Sequence, residues 1–495
     1  MPGSNVANFM KARESVRFVS PPPEIELPTA RGWGLPEWFA VAQVAGPALL
    51  YLPGTQVIRA PLRVGVFALS LIGLAICLQF RRPAAFHKSA LLLAAAAGFM
   101  FLMIFHPATN TMVSAIAQIA MYLAVAAPIF WAPSYFHGDY KRLSRVLTIL
   151  WILNGASVIV GILQVRDPAT WMPAEFTSIL KANKQSVSMY QYQGADGGMT
   201  MRPPGLGDSP GAACGAGMFV GIMTLAYMGL PVSTIRKLCG FGMGIAGVVV
   251  ILLSHVRSSL LVLVGCAFIY SIILAWQGRI KVVIISAAGV AACGTVGFFY
   301  GHSMGGEATL KRFETLLADD PLTVYEKSNR MWMLTSTWET LLVDYPLGAG
   351  LGRWGMMRTY FGDESNVDSP PLYAEVQFPA WAIDGGYVML LLYPLALILA
   401  IARLLHCTLF HPSPRIRQWG AVIVMLSAGP IALTFSYTPF NSQIGMQFWL
   451  LIGAFEGLVN GEDEITRLRL RRFSIVPETR MPVRPSHLET VAPLF

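Results

Sequence analysis

The chain has 495 residues, of which 54% are hydrophobic and only 13% charged, and its mean hydropathy is +0.54. A soluble domain carries about 25% charged residues, so a water-soluble globule of this length is excluded. The formal net charge of +9 is spread over short connections and the C-terminal tail, which speaks for topology and against a nucleic-acid partner.

Residues 1–35 hold Lys11, Arg13, Arg17 and the run Pro21-Pro22-Pro23 without an apolar core. They read as a disordered cytoplasmic tail and not as a cleavable signal peptide. From there to about residue 460 the sequence is a series of apolar runs. Runs longer than about 18 residues mark spanning helices, and only helices or closed barrels satisfy their backbone in lipid. We count about twelve spans by this measure, near 37–53, 62–80, 89–105, 112–132, 146–165, 210–230, 236–254, 258–276, 281–300, 381–404, 418–437 and 443–459. The expected fold class is an all-α polytopic membrane protein, with a transmembrane domain over 36–460 and a basic cytoplasmic tail over 461–495.

Lys and Arg set the orientation. They gather in alternate connections: Arg81, Arg82 and Lys88; Lys141, Arg142 and Arg145; Arg236 and Lys237; Arg279 and Lys281; Arg403, Arg415 and Arg417. Both ends are therefore expected in the cytoplasm, with Arg59 and Arg63 on the wrong side. Two far-side connections are long, about 166–209 and 301–380, and long segments translocate largely regardless of charge. The six cysteines lie in apolar spans or, for Cys407, in a basic loop, and no CxxC occurs. Neither a disulfide framework nor a zinc site is expected.

Four stretches bear groups suited to chemistry. Arg202-Pro203-Pro204-Gly205 leads through Asp208-Ser209-Pro210 into the sixth span; its prolines and glycines form a turn, and a helix N-terminus beside an arginine favours phosphate. An ordinary entry turn is the plain alternative. Ser254-His255-Val256-Arg257 separates the seventh and eighth spans and holds Arg257 at the outer boundary, where a charge near lipid marks a pathway or an anionic partner, or else an arginine that snorkels to headgroups.

In the larger loop, Ser328 is placed to cap a helix from Asn329, with Arg330 and Trp332 in it and an end at Asp344-Tyr345-Pro346. This helix is expected to lie along the membrane surface with its tryptophans at headgroup depth. The glycines of Pro346-Leu347-Gly348-Ala349-Gly350-Leu351-Gly352 follow no strand and are no dinucleotide fingerprint. Finally, Glu375 precedes Gly385-Gly386; a carboxylate beside an apolar mouth is a candidate base, though such a group is more often simply solvated.

In this order, Arg-x-x-Gly, Ser-x-x-Arg and a large outer loop with Arg, Trp and Pro-Leu-Gly-x-Gly-x-Gly, the chain resembles the O-antigen ligase and O-antigen polymerase superfamily of bacterial inner-membrane glycosyltransferases, over roughly residues 35–460. The resemblance implies an enzyme in the bacterial inner membrane, with its site facing the periplasm. It would transfer a glycan from an undecaprenyl-diphosphate donor to an acceptor hydroxyl on another lipid-linked glycan or on the lipid A core. No nucleotide sugar, no cofactor and, in the ligases, no metal is implied. By position, Arg202 and Arg257 match the arginines that hold the diphosphate, with Arg330 as an auxiliary. His255, Asp208 and Trp332 fall in the same binding region.

The sequence departs from the ligases where they carry a His-Asn pair, because here that register reads Glu375-Val376. Glu375 then replaces the histidine as the base, or the base is His302, His255 or Asp208. A polymerase or exopolysaccharide enzyme fits at least as well as a ligase. The competing class is a transporter or flippase for lipid-linked oligosaccharides, which calls for ionisable groups or broken helices at mid-membrane; an inactive assembly subunit is a third reading. The sequence specifies no oligomeric state.

Overall fold

The computed structural model describes residues 32–49, 52, 54–80, 87–173, 190–193, 197–207, 209, 211–318, 321–326 and 329–475. It is 79% helical. The principal helices are α1 (Leu35–Leu49), α2 (Arg59–Phe80), α3 (Lys88–Leu102), α4 (Met112–Ala126), α5 (Pro128–Tyr135), α6 (Tyr140–Arg166), α7 (Ala213–Gly229), α8 (Thr234–Leu253), α9 (Arg257–Trp276), α10 (Ile280–Ala318), α11 (Asn329–Ser336), α12 (Gly355–Phe361), α13 (Gln377–Phe410), α14 (Pro414–Leu433) and α15 (Gln443–Ile475). Between α6 and α7 lies an antiparallel hairpin of β1 (Gln191–Gln193) and β2 (Met199–Met201), with Tyr192 opposite Thr200.

Nine helical stretches among the described residues are long and apolar enough to cross a membrane, from Pro61–Gln79 to Pro414–Leu433. The protein is thus an all-α, multi-pass membrane protein. The expected spans near 37–53, 210–230 and 443–459 correspond to α1, α7 and α15, which fall outside those nine. The outer faces agree with a lipid environment. Leu261, Val264, Phe268 and Ile272 recur at helical spacing on α9 and are each more than half exposed, an apolar stripe that water would penalise and lipid accepts.

Small residues let the helices approach closely, as is usual where lipid offers no hydrophobic drive. Gly217 of α7 and Gly247 of α8 face each other, so that a Cβ on either would sit 2.7 or 2.8 Å from the other's carbonyl oxygen. On α15, Gly453, Gly457 and Gly461 form a small-residue seam against α5 and the turn after it; a Cβ at Gly457 would lie 2.6 Å from the Pro133 carbonyl. α7 sits centrally, packed by α6, α8, α9, α10 and α14, and is buried on all its faces.

Polar contacts cluster at the helix ends. The fully buried Glu37 of α1 accepts from Gly34 N at 2.9 Å and from Arg142 Nε and Arg145 Nη1, each at 3.2 Å, so that two of the arginines that set the orientation share one carboxylate. Arg63, the dissenting arginine, donates to the Tyr360 hydroxyl at 2.8 Å. It therefore fastens α12 of the larger loop to α2, which accounts for a cation at that end.

The loop helix expected from Asn329 is present, and Ser328, its expected cap, lies outside the described residues. α11 passes into a π turn over Thr337–Leu341 and a last turn over Leu342–Asp344. α15 runs on to Ile475, so the first part of the expected tail 461–495 is helical, and the rest lies outside the described residues, as do residues 1–31.

A Gly457→Ala change should force α5 and α15 apart, because the obstructing atoms are backbone. The expected loss is about 1–3 kcal/mol, typical of overpacking. Gly98→Ala, whose Cβ meets open space, should not lower the midpoint. Thermal unfolding of the two variants in detergent checks the pair.

Candidate functional site

The first outer segment folds back on the bundle through the β hairpin. β2 ends at Met201, and Arg202 N donates to the Tyr190 carbonyl at 2.9 Å. The turn that follows is anchored to α6: Gln164 Oε1 accepts from Gly205 N at 2.8 Å, Gln164 Nε2 donates to Gly205 O at 3.0 Å, and Leu206 N donates to Ser157 Oγ at 3.0 Å. Gly205 has φ +62, and a Cβ there would fall 2.7 Å from the Ser157 carbonyl. Only glycine takes this backbone against α6 without strain.

The same turn brings Arg202 to the α8–α9 connection. Gly211 N donates to the Arg202 carbonyl at 3.3 Å. A Cβ on Gly211 would lie 3.9 Å from Arg202 Cβ, 3.7 Å from Ser254 O and 3.7 Å from Val256 Cγ2. Arg202 and the residues that lead directly into Arg257, the first residue of α9, thus flank one glycine. Arg202 is half-buried, and its Nε is enclosed without a hydrogen-bond partner. Burial lowers the pKa of its guanidinium, an effect that Tyr190 and Tyr192 oppose.

His255 has φ +55, the only positive φ of a non-glycine among the described residues. Such a conformation costs about 1–2 kcal/mol for an L-residue and is held by its surroundings. The buried imidazole stacks on Tyr192 of β1 with centroids 3.9 Å apart, and its Nε2 is 3.1 Å from Thr309 Oγ1 of α10. His255 therefore seats the hairpin on the helix ends. Burial raises the pKa of the Tyr192 phenol, while Arg202 pulls it down.

The larger loop supplies the opposite wall. Gly348, Gly350 and Gly352 all have positive φ and lay their backbone against Ile383–Gly386, Ala108–Thr109 and Ser114. Ala349 N donates to Ile383 O at 2.7 Å and Asn110 N to Leu351 O at 3.0 Å. The buried Arg353 spends its donors on carbonyls, with Nη1 to Ala349 at 2.8 Å and Nε and Nη2 to Pro370 at 3.1 and 2.9 Å.

Arg358 donates to Ser369 O at 2.8 Å. The segment after Pro370 is fixed at its far end by Gln377, whose Nε2 donates to Asn441 Oδ1 at 2.7 Å and whose Oε1 accepts from Phe440 N at 2.9 Å. Glu375 is half-buried between these anchors, two residues before α13.

Electrostatics connects the two loops. The Tyr373 phenol is raised by desolvation first, then by the charge of Glu375 and a hydrogen bond to it, and by Tyr190; Arg330 opposes the shift. Tyr190 also acts on Arg202, and Arg330 acts on Tyr325, whose hydroxyl donates to Phe435 O at 2.9 Å. Tyr190 thus bears on both Arg202 and Tyr373, and Arg330 bears on both Tyr325 and Tyr373, with Glu375 hydrogen-bonded to Tyr373. Such a surface offers fixed cations for a phosphate, a carboxylate, and aromatic faces for an apolar or sugar-like ligand.

Trp332 is 62% exposed on α11. Asp208 lies outside the described residues. His302 stacks on Phe298 within α10. Asp363 accepts from Ser365 N at 2.8 Å and Ser365 Oγ at 2.6 Å, and these bonds lower its pKa; it shapes its own turn. No group of three His, Cys, Asp or Glu side chains fit for a metal gathers among the described residues.

Two features escaped the sequence reading. The alternation Tyr190-Gln191-Tyr192-Gln193 is a period-two pattern that signals a strand with both tyrosines on one face. The second is Asp384, fully buried at a break in α13 where Gly385 and Gly386 leave helical geometry. Its Oδ2 accepts from Gln118 Nε2 at 3.0 Å and the Tyr122 hydroxyl at 2.7 Å, and its Oδ1 from Trp354 Nε1 at 2.8 Å. A lone acidic residue beside two glycines carried no periodicity to find it by.

No known family model matches the chain, and no curated protein matches it.

The two contributions of His255 separate experimentally. His255→Ala and His255→Gly both lose the ring that stacks on Tyr192, but only alanine keeps the strained φ. The glycine variant should be the more stable by about 1 kcal/mol, as read from thermal unfolding.

Proposed function

We propose that this protein is a membrane glycosyltransferase that takes a glycan from an undecaprenyl-diphosphate donor and passes it to an acceptor hydroxyl, as a repeat polymerase or as a ligase. The observation that carries this reading is the half-buried Arg202, its Nε without a partner, beside the turn that presents Arg257. A buried guanidinium donor left unpaired is costly, and a bidentate phosphate oxygen is its natural complement.

In this reading Arg202 and Arg257 grip the diphosphate, and Arg330 adds positive charge from the second loop. Glu375, hydrogen-bonded to Tyr373, accepts the proton of the acceptor hydroxyl as its oxygen attacks the anomeric carbon. The bond from that carbon to the diphosphate oxygen breaks, and the two arginines offset the charge that builds on the leaving group. The chain crosses the bacterial inner membrane twelve times with both ends cytoplasmic, α1, α7 and α15 joining the nine helices that are long and apolar enough to span, and the site faces the periplasm.

One observation favours the transporter reading instead. α13 is broken at Gly385–Gly386 next to the buried Asp384, as in helices that build midplane sites. However, three neutral donors already satisfy Asp384, and the third comes from the outer loop, so the carboxylate fastens the loop to the bundle.

Arg257→Ala and Arg202→Ala should each reduce glycan transfer at least about hundredfold, the scale of losing one charge-stabilising donor, with protein levels intact. Glu375→Gln should impair turnover and Glu375→His should restore part of it. Full activity in the arginine variants removes the diphosphate grip. Chain-length analysis of the surface glycan after deletion separates the branches: single repeats retained means a polymerase, and loss of all attachment means a ligase. Movement of lipid-linked glycan across proteoliposomes without transfer would establish the transporter.

A further inference from the structure

At the opposite end of the bundle from Arg202 and Arg257 lies a cavity of about 750 Å³. α8, with 20 residues, separates the two ends by about 30 Å at 1.5 Å per residue. The cavity is bordered by the first turns of α6, α8 and α14 and by the polar part of α15. Four cations reach it from these four helices: Lys141, Arg236, Arg415 and Arg469. All four are exposed, and among the described residues none of them closes an ion pair.

This contrasts with the neighbouring basic residues. Arg142 and Arg145 share Glu37, and Arg403 pairs with Glu456 at 3.5 Å. The one carboxylate lining the cavity, Glu462, accepts from the Tyr140 hydroxyl at 2.9 Å. Its charge therefore offsets at most one of the four cations.

The floor is of another kind. Leu147, Met223 and Trp419 line it, and so does Tyr227, which is 4% exposed. The Tyr227 hydroxyl lies beside Thr148. A cavity with unpaired cations at its rim and an apolar floor matches a ligand with a phosphate at one end and hydrocarbon at the other.

We propose that this cavity binds a phosphate-bearing anion of the dimensions of a phospholipid headgroup, with the phosphate among Lys141, Arg236, Arg415 and Arg469 and the apolar portion against Trp419 and Met223. Its position among the first turns of α6, α8 and α14 lets a bound anion tie the ends of separate helices together and relieve the repulsion between their cations. The site is independent of the transfer chemistry, which lies at the other end.

The test uses the purified full-length protein and native mass spectrometry, with phosphatidylglycerol and phosphatidylcholine as probes. The wild type should retain phosphatidylglycerol in preference. The Arg236→Gln, Arg415→Gln double variant should bind it about thirtyfold more weakly, since each cation near an anionic lipid contributes about 1 kcal/mol. Both residues are exposed, so folding should survive, and a thermal midpoint no lower than that of the wild type verifies it.

Lys237→Gln, adjacent in sequence but not lining the cavity, should retain wild-type binding. Displacement of the lipid by excess glycerol phosphate supports the site with a soluble phosphate ester as its source; no displacement supports it with the lipid as source. Equal retention of the two lipids by the wild type, or wild-type affinity in the double variant, overturns the proposal.

Discussion

The placement of the outer loop rests on one buried carboxylate. Asp384 interrupts an apolar helix and accepts hydrogen bonds from two residues of α4 and from Trp354 of the loop. A carboxylate enclosed by protein in this way is tolerated only when its oxygens are satisfied, so the loop cannot lift away without exposing an unmet acceptor. Gly385 and Gly386 provide the backbone geometry that opens the helix at this point, and Gly348, Gly350 and Gly352 let the loop backbone lie against it. The positions of Tyr373 and Glu375 follow from this docking through Arg353 and Arg358, which hold the carbonyls of Pro370 and Ser369.

The two ends of the molecule use their cations differently. At the loop end, Arg353 and Arg358 are consumed by carbonyls and act as internal fasteners. Arg202, by contrast, keeps an enclosed Nε without a partner. At the other end some basic residues are matched to Glu37 and Glu456, while four converge on a cavity with a single carboxylate. Unspent donors in enclosed surroundings distinguish recognition from scaffolding. Arg202 at one end and the four-cation cavity at the other are the places proposed to receive an anion.

The helices were largely readable in the residue order because lipid imposes a simple requirement on composition. The expected spans near 62–80, 89–105 and 258–276 correspond to α2, α3 and α9 within a few residues. α7 and α15 were legible as apolar stretches but were less distinctive, since one is short and the other carries polar residues where it is enclosed by neighbours. The hairpin of β1 and β2 was passed over because a three-residue strand gives little periodicity, although the Tyr190–Gln193 alternation held the signal. Arg63 looked misplaced by its charge alone, and its partner Tyr360 lies 297 residues away along the chain.

Composition and local pattern by themselves determined that this is an all-helical membrane protein, that it carries two long connecting loops, and that Arg202, Arg257, Arg330 and Glu375 deserved notice. These properties depend on transfer to lipid and on turn chemistry, both of which act over a few residues. Only the tertiary structure decided that Arg202 meets the turn before Arg257 at Gly211 and that four helices contribute cations to one cavity. Such arrangements arise from helix crossings and glycine-mediated backbone contacts between distant segments, and no local rule in the chain encodes where those crossings fall.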